Sequence, residues 1–146
     1  EQQGWLASLG GQDLSERDLQ AAREAFDAFR ELVTRFPDSK YAADSEARMK
    51  YLVNSMAAGE VHIARYYYKR GAYVAAINRA QLAVRQYQQA PAIEEALYIM
   101  LMSYERLGLD ELRSDTERVM KTNFPRSELL SKGYQADDRR WWQVWK

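Results

Sequence analysis

Cysteine is absent from the chain, and histidine occurs once, at His62. Without cysteine there is no disulfide, no thiolate nucleophile and no thiolate zinc site; the compartment stays open, because an unpaired secreted domain can also lack cysteine. One histidine excludes a histidine metal pair and a Ser-His-Asp arrangement, and His62 is expected half-exposed on its helix. Charge of one sign is not in excess either. Lys plus Arg and Asp plus Glu both total 21, so no global field draws phosphate backbones or anionic lipids, and nucleic acid is not an expected partner. No run approaches the ~18–20 apolar residues of a membrane span, and no signal peptide is recognised. The first residue is Glu1 rather than methionine, which reads as a processed or trimmed piece. Gly10 and Gly11 lack the spacing and the lysine of a phosphate loop. The neighbours Glu94 and Glu95, like Asp137 and Asp138, diverge on a helix and read as solvated charge, not as a working carboxylate pair. No catalytic residue, metal or cofactor is expected.

What is present suits a helical domain. Apolar residues make up 47% and charged residues 29%, with only three prolines and seven glycines as breakers. A compact domain of this length buries ~68–70% of its unfolded surface, enough for a real core. Residues 18–36 set Ala22, Ala25, Phe26, Phe29, Leu32, Val33 and Phe36 at helical spacing, and Pro37 closes that helix. Asp38 and Ser39 can cap the next, whose stripe of Met49, Leu52, Val53, Met56, Ile63 and Tyr67 keeps phase up to Gly71; Gly59 inside it marks a possible bend. Residues 72–87, 92–107 and 110–123 repeat the pattern, each followed by a breaker at Pro91, Gly108 or Pro125.

These segments share offsets. Turn positions and loop positions lie 17 residues apart from Gly71 to Gln88, from Gly108 to Pro125 and from Gln20 to Pro37. Small residues five places after the turn, Ala25 and Ala76, let antiparallel helices approach, and an aromatic four before the glycine, Tyr67 or Tyr104, fills the gap. The order Tyr67, Gly71, Tyr73, Ala76, Ala83 resembles the tetratricopeptide repeat, with Gln88 in place of the usual proline. Successive turn positions are 51 and 37 residues apart, against the family's ~34, so one helix must be lengthened within residues 39–70. The expected fold is all-α: a tetratricopeptide-like α-solenoid of about 2.5 repeats over residues 1–127, with an aromatic tail at 128–146.

The words "RFPDSKYAADSEARMKYL", "ARYYYKRGAYVAAINRAQ", "TNFPRS" and "ASLGGQDLSERDLQAAREAF" resemble the outer-membrane assembly lipoprotein family BamD, also called ComL, through essentially the whole chain. The likeness corresponds to that family's C-terminal portion, roughly its third to fifth repeats. It implies a periplasmic scaffold of the β-barrel assembly machinery at the outer membrane, held there by a lipid anchor that this piece lacks. It further implies contacts with the POTRA region of BamA and with accessory lipoproteins. A generic cytoplasmic peptide-binding adaptor is the alternative, and an enzyme reading fails for want of a nucleophile and base.

Partner-facing candidates follow. On the helix over 72–87, Leu82 points away from the apolar stripe with Asn78 and Arg79 near it; a lone exposed leucine is ordinary, but arginine beside an apolar contact is the composition of interface hot spots. Arg79 is the leading candidate for a salt bridge to the POTRA region, with Arg79→Glu expected to abolish capture and leave the helical circular dichroism intact. The repeat register sets Val61, Arg65, Tyr68 and Lys69, and then Tyr98, Met102 and Glu105, along a concave groove; Arg70 adjoins them. Trp141, Trp142 and Trp145 in "WWQVWK" form an apolar cluster expected either to fold back or to dock on a partner or a membrane interface.

Overall fold

The computed structural model describes the backbone of residues 2–136 and the side chains of residues 18–134. In chain order the elements are α1 (Gln2–Arg35), α2 (Ala42–Lys69), α3 (Tyr73–Gln86), α4 (Ile93–Leu107), α5 (Asp110–Asn123), the short α6 (Glu128–Lys132) and a 3-10 turn, Gly133–Ala136. No strand occurs among the described residues. Each of the five long helices packs on the next, and α2 also packs directly on α4. The result is a two-layer stack with α2 and α4 inside and α1, α3 and α5 outside, the arrangement expected of tetratricopeptide-like pairs.

Two kinds of turn recur, and both are visible in the backbone bonding. At the end of α2 and again at the end of α4, a glycine with positive φ, Gly71 at 76° and Gly108 at 69°, lets the chain reverse. In each case the residue after the glycine donates its N–H to a carbonyl five residues back, Ala72 to Tyr67 and Leu109 to Tyr104, both at 3.0 Å. This bond satisfies a helix-end carbonyl that would otherwise be orphaned. The closing turn recurs three times, at Phe36, Tyr87 and Phe124, whose carbonyls accept from Ser39, Ala90 and Ser127 at 2.9–3.0 Å.

Small residues sit where helices cross. Ala57, Ala64, Ala76, Ala80, Ala83 and Ala96 are all fully buried, and around them Ile99, Met120 and Val61 fill the core. Val61 was expected on the groove surface; at 1% exposure it belongs to the core, because α2 turns that face toward α4.

Two further expectations change. The first helix begins at Gln2, not near residue 18, and Gln20 lies in its interior rather than at a turn. No proline precedes Pro37, so nothing in the sequence forces an earlier stop. The cap of α2 is Tyr41 without a side-chain bond; Ser39 Oγ instead accepts from the Tyr41 N–H at 3.2 Å, serving the turn before the helix. The lengthened helix expected within residues 39–70 is present: α2 runs unbroken through Gly59 for 28 residues. A Cβ at Gly59 would stand 2.8 Å from Leu19 Cδ2, so the missing side chain is the notch into which α1 packs. Close packing there offsets the ~1 kcal/mol by which glycine weakens a helix.

Candidate protein-interaction site

On the inner face, Arg65 of α2 reaches across to Glu95 of α4. Its Nε and Nη2 donate to the two carboxylate oxygens, Nη2 at 2.6 Å, in a fork that fixes both side chains. Tyr134, carried by the 3-10 turn after α6, donates its hydroxyl to the same carboxylate at 2.9 Å. Its ring stands edge-on to Tyr98 with centroids 5.1 Å apart and lies 6.0 Å from Tyr68, which in turn neighbours Tyr73 at 5.8 Å. Tyr98 is buried, whereas Lys69 and Arg70 are exposed, Arg70 with its guanidinium 4.5 Å from the Tyr66 ring.

The electrostatics follow from these contacts. Hydrogen bonding to Glu95 raises the Arg65 pKa further above its already high value, against the opposing effect of burial. Burial first, and the Glu95 carboxylate next, push the Tyr134 phenol well above the ordinary tyrosine range. Burial also raises Tyr98. At neutral pH both phenols therefore keep their protons, and Tyr134 acts as a donor.

Glu95 was expected to be solvated charge, and the structure corrects this: it is the acceptor on which the inner face converges. The groove positions Arg65, Tyr68 and Tyr98 do come together, but the chain's own Gly133 and Tyr134 stand against them. His62 is exposed.

On the outer face the leading feature is α3. Val74, Asn78 and Leu82 follow one another at four-residue steps along its solvent side; Val74 is 62% exposed, Asn78 is exposed and Leu82 half-buried. Val74 was missed as a candidate, although its spacing from Asn78 and Leu82 was readable. Arg79 lies to one side of this ridge, its side chain 29% exposed, and donates from Nη1 to Glu60 Oε2 at 3.3 Å. Glu60 is 2% exposed at its side chain, and Arg23 of α1 approaches its other oxygen at 3.9 Å. Arg79→Glu would set a second carboxylate beside a buried one, so it disturbs the fold and is not a clean test of binding. Farther along the same face a cleft of about 400 Å³ opens between α3, α4 and α5, lined by Val84, Leu97, Val119 and Phe124 together with Gln88 and Asn123. None of these six carries a charge.

Among the described residues no group of three His, Asp or Glu side chains is placed to hold a metal. No helix among them is long and apolar enough to cross a membrane. Trp141, Trp142 and Trp145 lie outside the described residues.

Comparison with known proteins adds the context. Residues 4–119 match the family described as YfiO, outer membrane lipoprotein. The chain is 51% identical over 145 residues to the outer membrane protein assembly factor BamD of Neisseria meningitidis, covering 99% of this chain and 54% of that protein. It is 50% identical over 145 residues to its counterpart in Neisseria gonorrhoeae, with the same coverage. Against the Haemophilus influenzae protein of the same name the identity is 39% over 119 residues, 82% of this chain and 45% of the relative. The chain spans about half the length of the curated relatives it matches.

Proposed function

The chain belongs to the YfiO family of outer membrane lipoproteins, which includes the BamD assembly factors, and on that premise we propose that it is a non-catalytic scaffold segment of the outer-membrane β-barrel assembly machinery. It holds the POTRA region of BamA and accessory lipoproteins at the periplasmic face of the outer membrane. Membrane attachment, on this reading, comes through a lipid anchor.

The observation that carries this reading is the ridge on α3. An exposed valine, an exposed asparagine and a half-buried leucine stand in line, with the Arg79 guanidinium at their side. An apolar strip rimmed by arginine and amide is the composition of a protein interface core and its edge. Arg79 is held by Glu60, so its orientation is set before a partner arrives, which lowers the entropy lost on binding. Lys69 and Arg70, exposed at the edge of the opposite face, complete the proposed contact set with Trp141, Trp142 and Trp145, while Arg65, Tyr68 and Tyr98 are engaged by the chain's own Tyr134 and Glu95. The peptide-adaptor alternative loses support because the chain's own Tyr134 occupies the inner face that such an adaptor would use.

The test is capture of a BamA POTRA fragment by Leu82→Asp, with circular dichroism recorded alongside. Capture is expected to fall at least ten-fold, about 1.4 kcal/mol or more, while helical content stays unchanged. Undiminished capture would remove the α3 ridge from the site.

A further inference from the structure

We propose that the inner face contains a tyrosine socket, built from Arg65, Glu95, Tyr68 and Tyr98, that recognises a glycine–tyrosine turn and whose resident, releasable occupant is the chain's own segment 127–136. This rests on the inner-face geometry alone and is independent of the scaffold reading.

Three observations define the socket. The Arg65 fork holds the Glu95 carboxylate in place from a different helix, and the Tyr134 hydroxyl donates to that carboxylate at 2.9 Å. The hydroxyl thus meets a charged acceptor that is already oriented, the stronger kind of hydrogen bond. The ring is read by Tyr98 edge-on at 5.1 Å and by Tyr68 at 6.0 Å, distances at which aromatic pairs attract beyond their area. The residue before the tyrosine is also specified. Gly133 has φ 61°, and a Cβ there would stand 3.0 Å from the Tyr98 hydroxyl. Glycine supplies both the left-handed backbone and the close approach.

A fourth observation makes the occupant releasable. α6 has five residues, none of them buried, and its cap bond from the Leu130 N–H to Ser127 Oγ is long at 3.4 Å. A helix that short does not persist in water by itself. The segment is hinged at Ser127, which is buried and whose N–H donates to the Phe124 carbonyl at 3.0 Å, and beyond it is held by the socket together with partial burial of Leu129 and Leu130. Segments with so few buried contacts open locally at far lower free energy than the whole domain. Arg65 and Glu95 belong to α2 and α4, so when the segment lifts the fork stays formed and ready for a tyrosine presented in trans.

The probe is a fluorescent synthetic peptide of residues 126–136, RSELLSKGYQA, titrated by anisotropy into the full chain and into full-chain Tyr134→Ala. The altered chain, with its socket vacated, is expected to bind at least ten-fold more tightly than the unaltered one. A peptide with phenylalanine in place of Tyr134 should bind the altered chain at least five-fold more weakly, and adding Glu95→Leu to that chain, which leaves the hydroxyl no acceptor, should erase the difference. Should Tyr134→Ala lose helical circular dichroism, Gly133→Ala replaces it, since its lesion lies at the edge of the socket. Equal binding by both chains, binding by neither, or no discrimination between tyrosine and phenylalanine would overturn the proposal.

Discussion

Two arginine–glutamate pairs hang from α2, one on each face of the stack, and they differ in kind. On the inner face α2 supplies the cation: Arg65 grips Glu95 through two bonds, both charges are partly exposed, and a tyrosine takes up remaining acceptor capacity. On the outer face α2 supplies the anion: Glu60 is buried, receives one longer bond from Arg79, and has Arg23 at 3.9 Å. One side balances one charge against one and then closes over itself. The other sets two guanidiniums near a single buried carboxylate, beside an open apolar ridge. A face with an exposed valine beside a pre-oriented arginine is suited to a neighbour, whereas a face already satisfied by its own chain is suited to regulation or capping.

The largest expected effect comes from breaking the outer pair. Arg79→Glu should lower unfolding stability by about 3 kcal/mol in urea titration, because it deprives a buried carboxylate of its partner and adds a like charge. A loss below about 0.5 kcal/mol would mean that Glu60 is not held by Arg79 in solution. Next, Gly59→Val should remove about 2 kcal/mol by forcing Leu19 out of its notch, within the range for overpacking. Hydrogen exchange should show that loss concentrated in α1 and the facing part of α2, with α4 and α5 unaffected. The smallest effect sharpens the inner side of the comparison. Tyr134→Phe removes one bond to a charged acceptor, about 1.5 kcal/mol, and exchange should rise only in residues 128–136. Uniformly faster exchange across the repeats would show that the segment is part of the global fold, not a local closure.

Much of the scaffold was legible from periodicity. The recurrence of tyrosine, glycine and alanine at fixed offsets placed the turns at Gly71 and Gly108, and the lengthened helix followed from a spacing that would otherwise have required a long structureless loop. The site was less legible, for reasons particular to each residue. Glu60 could have been found: it falls on the same stripe of α2 as Met56 and Ile63, where a carboxylate has to be partnered. Glu95 could not, since its role depends on Arg65 thirty residues earlier and on which face of α4 meets α2. Tyr134 lies outside any repeat, so no period pointed to it. Gly59 was visible but read with the wrong emphasis, because propensity records what glycine costs a helix and says nothing of the neighbour it admits.

The length of α2 has a geometric consequence. It has 28 residues against 14 in α3, and the Glu60 to Arg79 contact sets α3 beside its C-terminal half. Roughly ten residues at its start, about 15 Å of helix, therefore run past the end of α3. Phe36, Tyr41 and Tyr51, all exposed, ride on that projecting arm. The contact of Leu19 with Gly59 is a place where α1 comes close to the α2 backbone, and any side chain added there would have to displace the Leu19 methyl before the hairpin could keep its spacing.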